Sequence, residues 1–434
     1  MAISPFEERY KTEMNGILDD RHKMERWMDV EIALAKAHAK LGTIPKDAVK
    51  QIQEGKKKVR FERIIEIESQ IHHDLMAMVK ALSEQCGDAG RYVHLGATSY
   101  DIEDTATALI FMEAVDLLDK HLDELAKVLK ALALTHKNAV CMGRSHGQHA
   151  VPTTYGLKFA LYYQDLLRNR ERLAEARKRI AVGKMSGAVG TMATFGEHAF
   201  EIQSLVMKEL GIQPAKVTNQ VVQRDRHAEV LFVLALIAAG LEKIAKEIRN
   251  LQRTEIMEIS EPFSAKQVGS STMPQKRNPH KSERICSIAR LIRANVITAL
   301  ENIALEHERD LTNSANERAI FGESFIGVDY MLLQINGILS DLRFYPENIK
   351  RNLDLTHGLI MSERLMIALT EKGVGRQEAH EKVRTLAQKA FNEKKELKDL
   401  IKSENLFSDA ELGKLFDYGT YTGQAAKIVE NAVK

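Results

Sequence analysis

Apolar residues recur along most of this chain at intervals of three and four. Between 231 and 248, Leu231, Leu234, Ala238, Leu241, Ala245 and Ile248 form one stripe, the spacing that aligns side chains along one face of an α-helix. Val233, Ala235, Leu236 and Ile237 add apolar surface outside that stripe. A helix apolar on more than one face predicts burial on more than one side, between subunits as well as within one. Alternating strand patterns are scarce, and Ala, Leu, Glu, Lys and Arg are abundant beside eight prolines. The pattern predicts an all-α protein.

Punctuation divides the helices. A first segment ends at Leu95-Gly96-Ala97-Thr98-Ser99, where Thr98 can cap a helix with Asp101 at the third position. Long helices then run to about residue 340, broken near 143–152, 183–196, 211–218 and 269–279. Short helices close the chain after Pro346. Three domains are expected: an N-terminal helical domain over 1–98, a long-helix bundle over 99–345, and a C-terminal helical domain over 346–434.

A chain of 434 residues is too long for one small core. Its 62 Lys+Arg against 60 Asp+Glu leave a formal charge of +2, so no bulk field favours nucleic acid or an anionic membrane. Three widely spaced cysteines, Cys86, Cys141 and Cys286, imply a reduced compartment with neither a disulfide framework nor a zinc cluster. The N-terminus lacks the basic and apolar regions of a signal peptide. The longest apolar run, Val230 to Leu241, is shorter than the roughly 18 residues a membrane span needs. A soluble, cytoplasmic protein is expected.

The chemistry gathers where helices break. Gly269-Ser270-Ser271-Thr272-Met273-Pro274-Gln275-Lys276-Arg277-Asn278-Pro279 cannot be an uninterrupted helix, because Pro274 and Pro279 each remove a backbone donor. Asn278-Pro279 reads as an N-cap followed by proline at the first helical position. Such a loop can surround a carboxylate with Ser, Lys and Asn donors and its own N–H groups. A Gly-Ser pair alone is ordinarily a turn; the Met-Pro-x-Lys-x-Asn-Pro continuation makes it more. No Gly-x-Ser-x-Gly elbow and no Gly-x4-Gly-Lys-Ser/Thr spacing accompany it, which disfavours a serine hydrolase and a P-loop. In Gly143-Arg144-Ser145-His146-Gly147-Gln148-His149-Ala150-Val151-Pro152, His146 is central and His149 reads as structural. Around Thr98-Ser99, two hydroxyls and free N–H groups at a helix start suit an anion, although a plain capping box would look the same.

These three stretches resemble the three conserved regions of the fumarase/aspartase superfamily, whose members eliminate fumarate from succinyl compounds. Further segments narrow the resemblance to its adenylosuccinate lyase family, nearly end to end. They are Glu8-Arg9-Tyr10, His72-His73-Asp74, Gly187-Ala188-Val189-Gly190-Thr191, Gln220 before Gln223-Arg224-Asp225-Arg226-His227, and Glu308-Arg309-Asp310 with Ser314, Glu317 and Arg318. Two departures stand out: His72 where related enzymes often carry Arg, and Asn313 where many carry His or Asp.

The resemblance implies β-elimination of fumarate from adenylosuccinate, leaving AMP, and from the succinyl-carboxamide ribotide of purine synthesis. An argininosuccinate lyase-like activity is the alternative within the superfamily, and a non-enzymatic scaffold would be expected to have lost Ser270, His146 or Lys276. Ser270 is the expected base and His146 the acid, oriented by Glu283. Arg9, Tyr10, His72, His73, Asp74, His94, Thr98, Ser99, Gln220, Ser271, Lys276, Arg277, Asn278, Arg309, Ser314 and Arg318 are the expected substrate-binding residues. Arg9, Ser314 and Arg318 suit a nucleotide phosphate. No metal or cofactor is expected. The superfamily also implies a homotetramer with a central helical core, each site drawing its three regions from three subunits.

Overall fold

The computed structural model describes residues 4–264 and 266–434. It is 67% helical, and among the described residues strands are confined to three two-stranded sheets. Five long helices dominate: Ser99–Thr135, Tyr155–Ile180, Asp225–Leu251, His280–Glu301 and Ser314–Ser340. Each contributes residues to both compact units of the chain. One unit comprises the chain up to residue 122 with 169–239 and 287–332; the other comprises 123–168, 240–286 and 333–434.

In the first unit, Asp19 accepts from the His22 N–H at 2.8 Å and starts the Asp20–Lys40 helix, a charged N-cap at the positive helix end. Trp27 and Leu34 from that helix pack with Leu75, Met78, Leu82, Ile102 and Met207. The Leu75, Met78, Leu82 spacing is the buried face of the Asp74–Glu84 helix. In the second unit, Leu365, Leu369, Val383, Leu386, Leu397, Ile401 and Leu412 form the core of the C-terminal helices. Pro346 starts the Pro346–Asp354 helix, where its missing N–H costs nothing.

The Asp225–Leu251 helix uses its apolar surface differently from expectation. Val233, Ala235 and Ile237 are buried within the single chain, and beside them Phe232 is exposed at 52%. The larger exposed apolar set lies at Leu291, Ile297, Leu300 and Ile303. A further helix break, at 302–313, also escapes the Gly/Pro punctuation. It is made by side chains: Asp310 accepts from the Glu306 and Thr312 N–H groups at 2.6 and 2.7 Å, His307 takes φ 50°, and Asn302 and Asn316 exchange amide bonds.

Candidate active site

His146 sits at the tip of a β-hairpin, Val140–Ser145 with Gln148–Thr154. His146 and Gly147 have φ of 53° and 75°, and a two-residue hairpin turn favours positive φ at both central positions. The hairpin bulges at Gly143, where a Cβ would meet the Val151 carbonyl at 2.5 Å. Its base is pinned by Glu258, nearly fully buried, which takes Arg144 at 2.5 Å, the Tyr155 hydroxyl at 2.7 Å and Asn352 at 2.9 Å. Rigid strands therefore present an exposed imidazole. His149 packs beside them, half-buried, its pKa lowered by burial and by Arg144.

The 269–279 loop is closed at its neck. A Cβ on Gly269 would stand 2.1 Å from the Lys276 carbonyl, so only glycine allows the two ends to touch. The Asn278 amide donates to the Gly269 carbonyl at 3.0 Å. Asn278 is therefore not the helix cap expected from its sequence: Pro279 supplies the first accepting carbonyl, to Glu283 at 2.9 Å. Glu261 receives the N–H groups of Ser282 at 2.6 Å and Lys281 at 3.3 Å. Within the loop, the Ser270 hydroxyl oxygen accepts from the Met273 and Thr272 N–H groups at 3.1 and 3.4 Å. Ser271 and Lys276 are exposed, and the Arg277 guanidinium lies 5.2 Å from the Phe263 ring centroid. Glu283 is exposed on the following helix, and no side-chain hydrogen bond joins it to His146 within this chain among the described residues.

The other candidates lie in the first unit. His72 (φ 55°) ends one helix in the left-handed conformation, and His73 accepts weakly from Met76 N–H at 3.4 Å at the start of the next. His94 (φ 65°) is also left-handed. Three candidate histidines, His72, His94 and His146, thus occupy a sparsely populated region, a pattern associated with functional sites. Glu31, 2% exposed, holds the His94 imidazole at 2.6 Å and its N–H at 2.9 Å. Burial disfavours the imidazolium, but Glu31 outweighs it and the His94 pKa is raised. Thr98 N–H donates to Asp101 at 2.9 Å, one half of a capping box. Neither the Thr98 nor the Ser99 hydroxyl has a hydrogen-bond partner among the described residues, so both remain free at the start of the Ser99–Thr135 helix. Asp101, fully buried, also takes Lys184 at 2.5 Å and the N–H groups of Ser186 and Gly187. Asp101 and Lys184 thereby fix the 187–191 segment beside that helix start.

Ser314 and Arg318 share a face of the Ser314–Ser340 helix and line one cavity of about 300 Å³. Arg318 pairs with Asp74 at 2.5 Å. Arg309 lies 3.6 Å from the Tyr100 ring centroid and donates to Gln220 at 3.2 Å. Arg224, buried, bridges Asp104 at 2.9 Å and Glu317 at 3.0 Å. Asn313 is fully buried next to that bridge. Arg9 is exposed, and Tyr10 packs on Phe6 and Tyr330.

The candidates thus form two sets: His146, Ser270, Ser271, Lys276, Arg277, Asn278 and Glu283 in one unit, the rest in the other. Sequence reasoning missed the supporting acids Glu31, Glu258 and Glu261. All three sit in ordinary helical or extended sequence, and only the fold brings them 63, 114 and 20–21 residues along the chain to their partners.

The chain matches the lyase family over residues 8–294 and the adenylosuccinate lyase C-terminus family over 358–432. It is 54% identical to the adenylosuccinate lyases of Pyrococcus horikoshii and Pyrococcus abyssi, covering 100% of this chain and 98% of each relative. Among solved structures it resembles a 3-carboxy-cis,cis-muconate lactonizing enzyme from Pseudomonas putida, with TM-score 0.91 and 33% identity over 99% of this chain and 98% of that one. That enzyme carries a different activity on the same fold, so the fold alone does not choose the reaction. The full-length identities and the C-terminal match do choose: the chain belongs to the adenylosuccinate lyase family.

Proposed function

We propose that the protein eliminates fumarate from adenylosuccinate, releasing AMP, and from the succinylaminoimidazole carboxamide ribotide of purine synthesis. The observation that carries the mechanism is the Ser270 oxygen under two loop N–H groups. A serine hydroxyl is a poor base in water, and donors already aimed at its oxygen stabilise the alkoxide it must become. Ser270 then removes a proton from the succinyl methylene, the carbon adjacent to the one that bears the departing nitrogen, so that a C=C bond forms between these two carbons as the C–N bond breaks. Lys276 and the loop N–H groups receive the charge that spreads onto the neighbouring carboxylate, while His146, presented by the hairpin tip, protonates the leaving nitrogen.

Asn278 is given a second role by the structure, as the clasp of the loop neck. The free Thr98 and Ser99 hydroxyls hold the other carboxylate at a helix start. Arg9, Ser314 and Arg318 take the nucleotide phosphate. His73 serves the substrate and Glu283 orients His146, the latter contact being made between subunits. The working form is a homotetramer in the cytoplasm. Its chains have an N-terminal domain to 98, a long-helix domain to 345 and a C-terminal domain beyond, and each site is completed by three of them. Among the described residues no helix is long and apolar enough to cross a membrane.

Ser270→Ala tests the base. Turnover should fall by about 10²–10⁴ or more, with melting temperature and assembly unchanged, because a loop hydroxyl outside the core contributes little to packing. A variant retaining more than about a tenth of wild-type turnover, a loss of less than roughly 1.4 kcal/mol in the barrier, removes Ser270 from that role.

A further inference from the structure

Of the carboxyl groups that line the 300 Å³ cavity, Asp20, Asp104 and Glu317 are ion-paired, and Glu103 is in no ion pair among the described residues. Glu103 lines the cavity together with Ser314 and Arg318, four residues before Thr107 and one before Asp104, on the Ser99–Thr135 helix. Four cations bear on this space: Lys23, Arg224 and Arg318 line it, and Arg309 lies near enough to act on Glu103. All are engaged. Lys23 pairs with Asp20, Arg318 with Asp74, and Arg224 with Asp104 and Glu317, while Arg309 lies over Tyr100. With Glu103 there are five carboxyls, so an ionised Glu103 leaves the cluster with excess negative charge. His227 does not offset it. Buried against Phe111 and Phe321, it has a pKa lowered far below the ordinary value by burial and by Arg224 and Arg226, and its Nδ1 has no partner.

A phosphate dianion entering beside Arg318 and Ser314 would meet that excess at short range. The repulsion disappears if Glu103 carries a proton, and its carboxylic acid O–H then becomes a donor to a phosphate oxygen. We propose that Glu103 is a positioning residue of the phosphate subsite that binds the nucleotide as a neutral acid, so that nucleotide binding takes up a proton. The state of the unliganded chain agrees: burial, with Asp74 and Asp104 adding to it, pushes Glu103 up to about 7, although Arg309 and Arg318 pull the other way. A bound dianion pushes it further up. Above neutral pH the free site is therefore mostly ionised and the bound site protonated. The inference rests on the reading of Ser314 and Arg318 as the phosphate subsite.

The test is calorimetric titration of AMP into the assembled enzyme at pH 8, in two buffers of unlike ionisation enthalpy. The wild type should take up about 0.5–0.9 proton per site, and its affinity should fall by up to about tenfold per pH unit between 7.5 and 8.5. Glu103→Gln, a neutral isostere, should bind AMP with little uptake and an affinity nearly flat over the same range. Absence of uptake by the wild type overturns the inference whatever the variant does. Uptake that persists in Glu103→Gln also overturns it, because the proton then resides on the phosphate or another group. Arg318→Ala separates this from the underlying reading. If that variant binds AMP as tightly as the wild type, the phosphate subsite itself is misplaced. If it binds AMP tenfold or more weakly while the wild type takes up no proton, only the role of Glu103 falls.

Discussion

At the scale of single residues, several candidate site residues are held in unusual states by their neighbours. His94 is the clearest case. Its left-handed backbone and its imidazole are both tied to the buried Glu31, and its pKa is raised. A histidine whose folded pKa lies above its unfolded value near 6.5 stabilises the fold fully below that value. The stabilisation is lost as pH rises through the folded pKa. Glu31→Gln should therefore destabilise more at pH 6 than at pH 9, by on the order of 1–3 kcal/mol at the acidic end. Thermal melts across that range check it, and an equal loss at both pH values would show that the Glu31–His94 N–H bond, not the imidazolium, is what matters. His94 was named a substrate-binding candidate from its place before Thr98 and Ser99. Glu31 was not, because nothing local distinguishes a glutamate facing the core 63 residues away from any other helical glutamate.

At the scale of elements, the candidate catalytic residues lie at helix breaks, and rigid segments hold them. The long helices were readable from three-four spacing, and the two glycine-rich and proline-rich breaks containing His146 and Ser270 were readable as non-helical. The hairpin was not read as such, because its bulge at Gly143 interrupts the alternation that marks a strand. The 302–313 break was hidden for a related reason: it has neither glycine nor proline, and Asp310 and the Asn302–Asn316 amides replace the helical bonds. The neck of the 269–279 loop yields a prediction at this scale. Gly269→Ala places a methyl against the Lys276 carbonyl, which must move and release the Asn278 clasp. We expect kcat/KM to drop by at least about tenfold, or about 1.4 kcal/mol. The melting temperature should change little, since the loop is exposed and its opening does not unfold the core. A variant with normal kcat/KM would show that the closed neck does not position Ser270.

At the scale of the whole molecule, the candidate residues divide between two compact units of one chain, and apolar side chains at Leu291, Ile297, Leu300 and Ile303 remain exposed on it. The apolar surface of 231–241 is largely buried by its own chain, with Phe232 left exposed, a division that hydrophobic periodicity cannot make. The proposal that sites are shared between subunits predicts complementation. His146→Ala and Ser270→Ala, each inactive, should regain up to about a quarter of wild-type activity when mixed, dissociated and reassembled, because about one hybrid site in four carries neither lesion. No recovery, in a preparation whose hybrids are demonstrated by native mass spectrometry, would mean that each site is made within one chain.

The central claim is the reaction itself, and the fold is shared with an enzyme of different activity, so the direct measurement is of substrate choice. Purified protein is assayed by absorbance with adenylosuccinate and, in parallel, with argininosuccinate, with fumarate quantified in both. The account predicts AMP and fumarate in equal amounts from adenylosuccinate and no fumarate from argininosuccinate. Fumarate from argininosuccinate alone, or from neither compound with the fold and assembly intact, would contradict it.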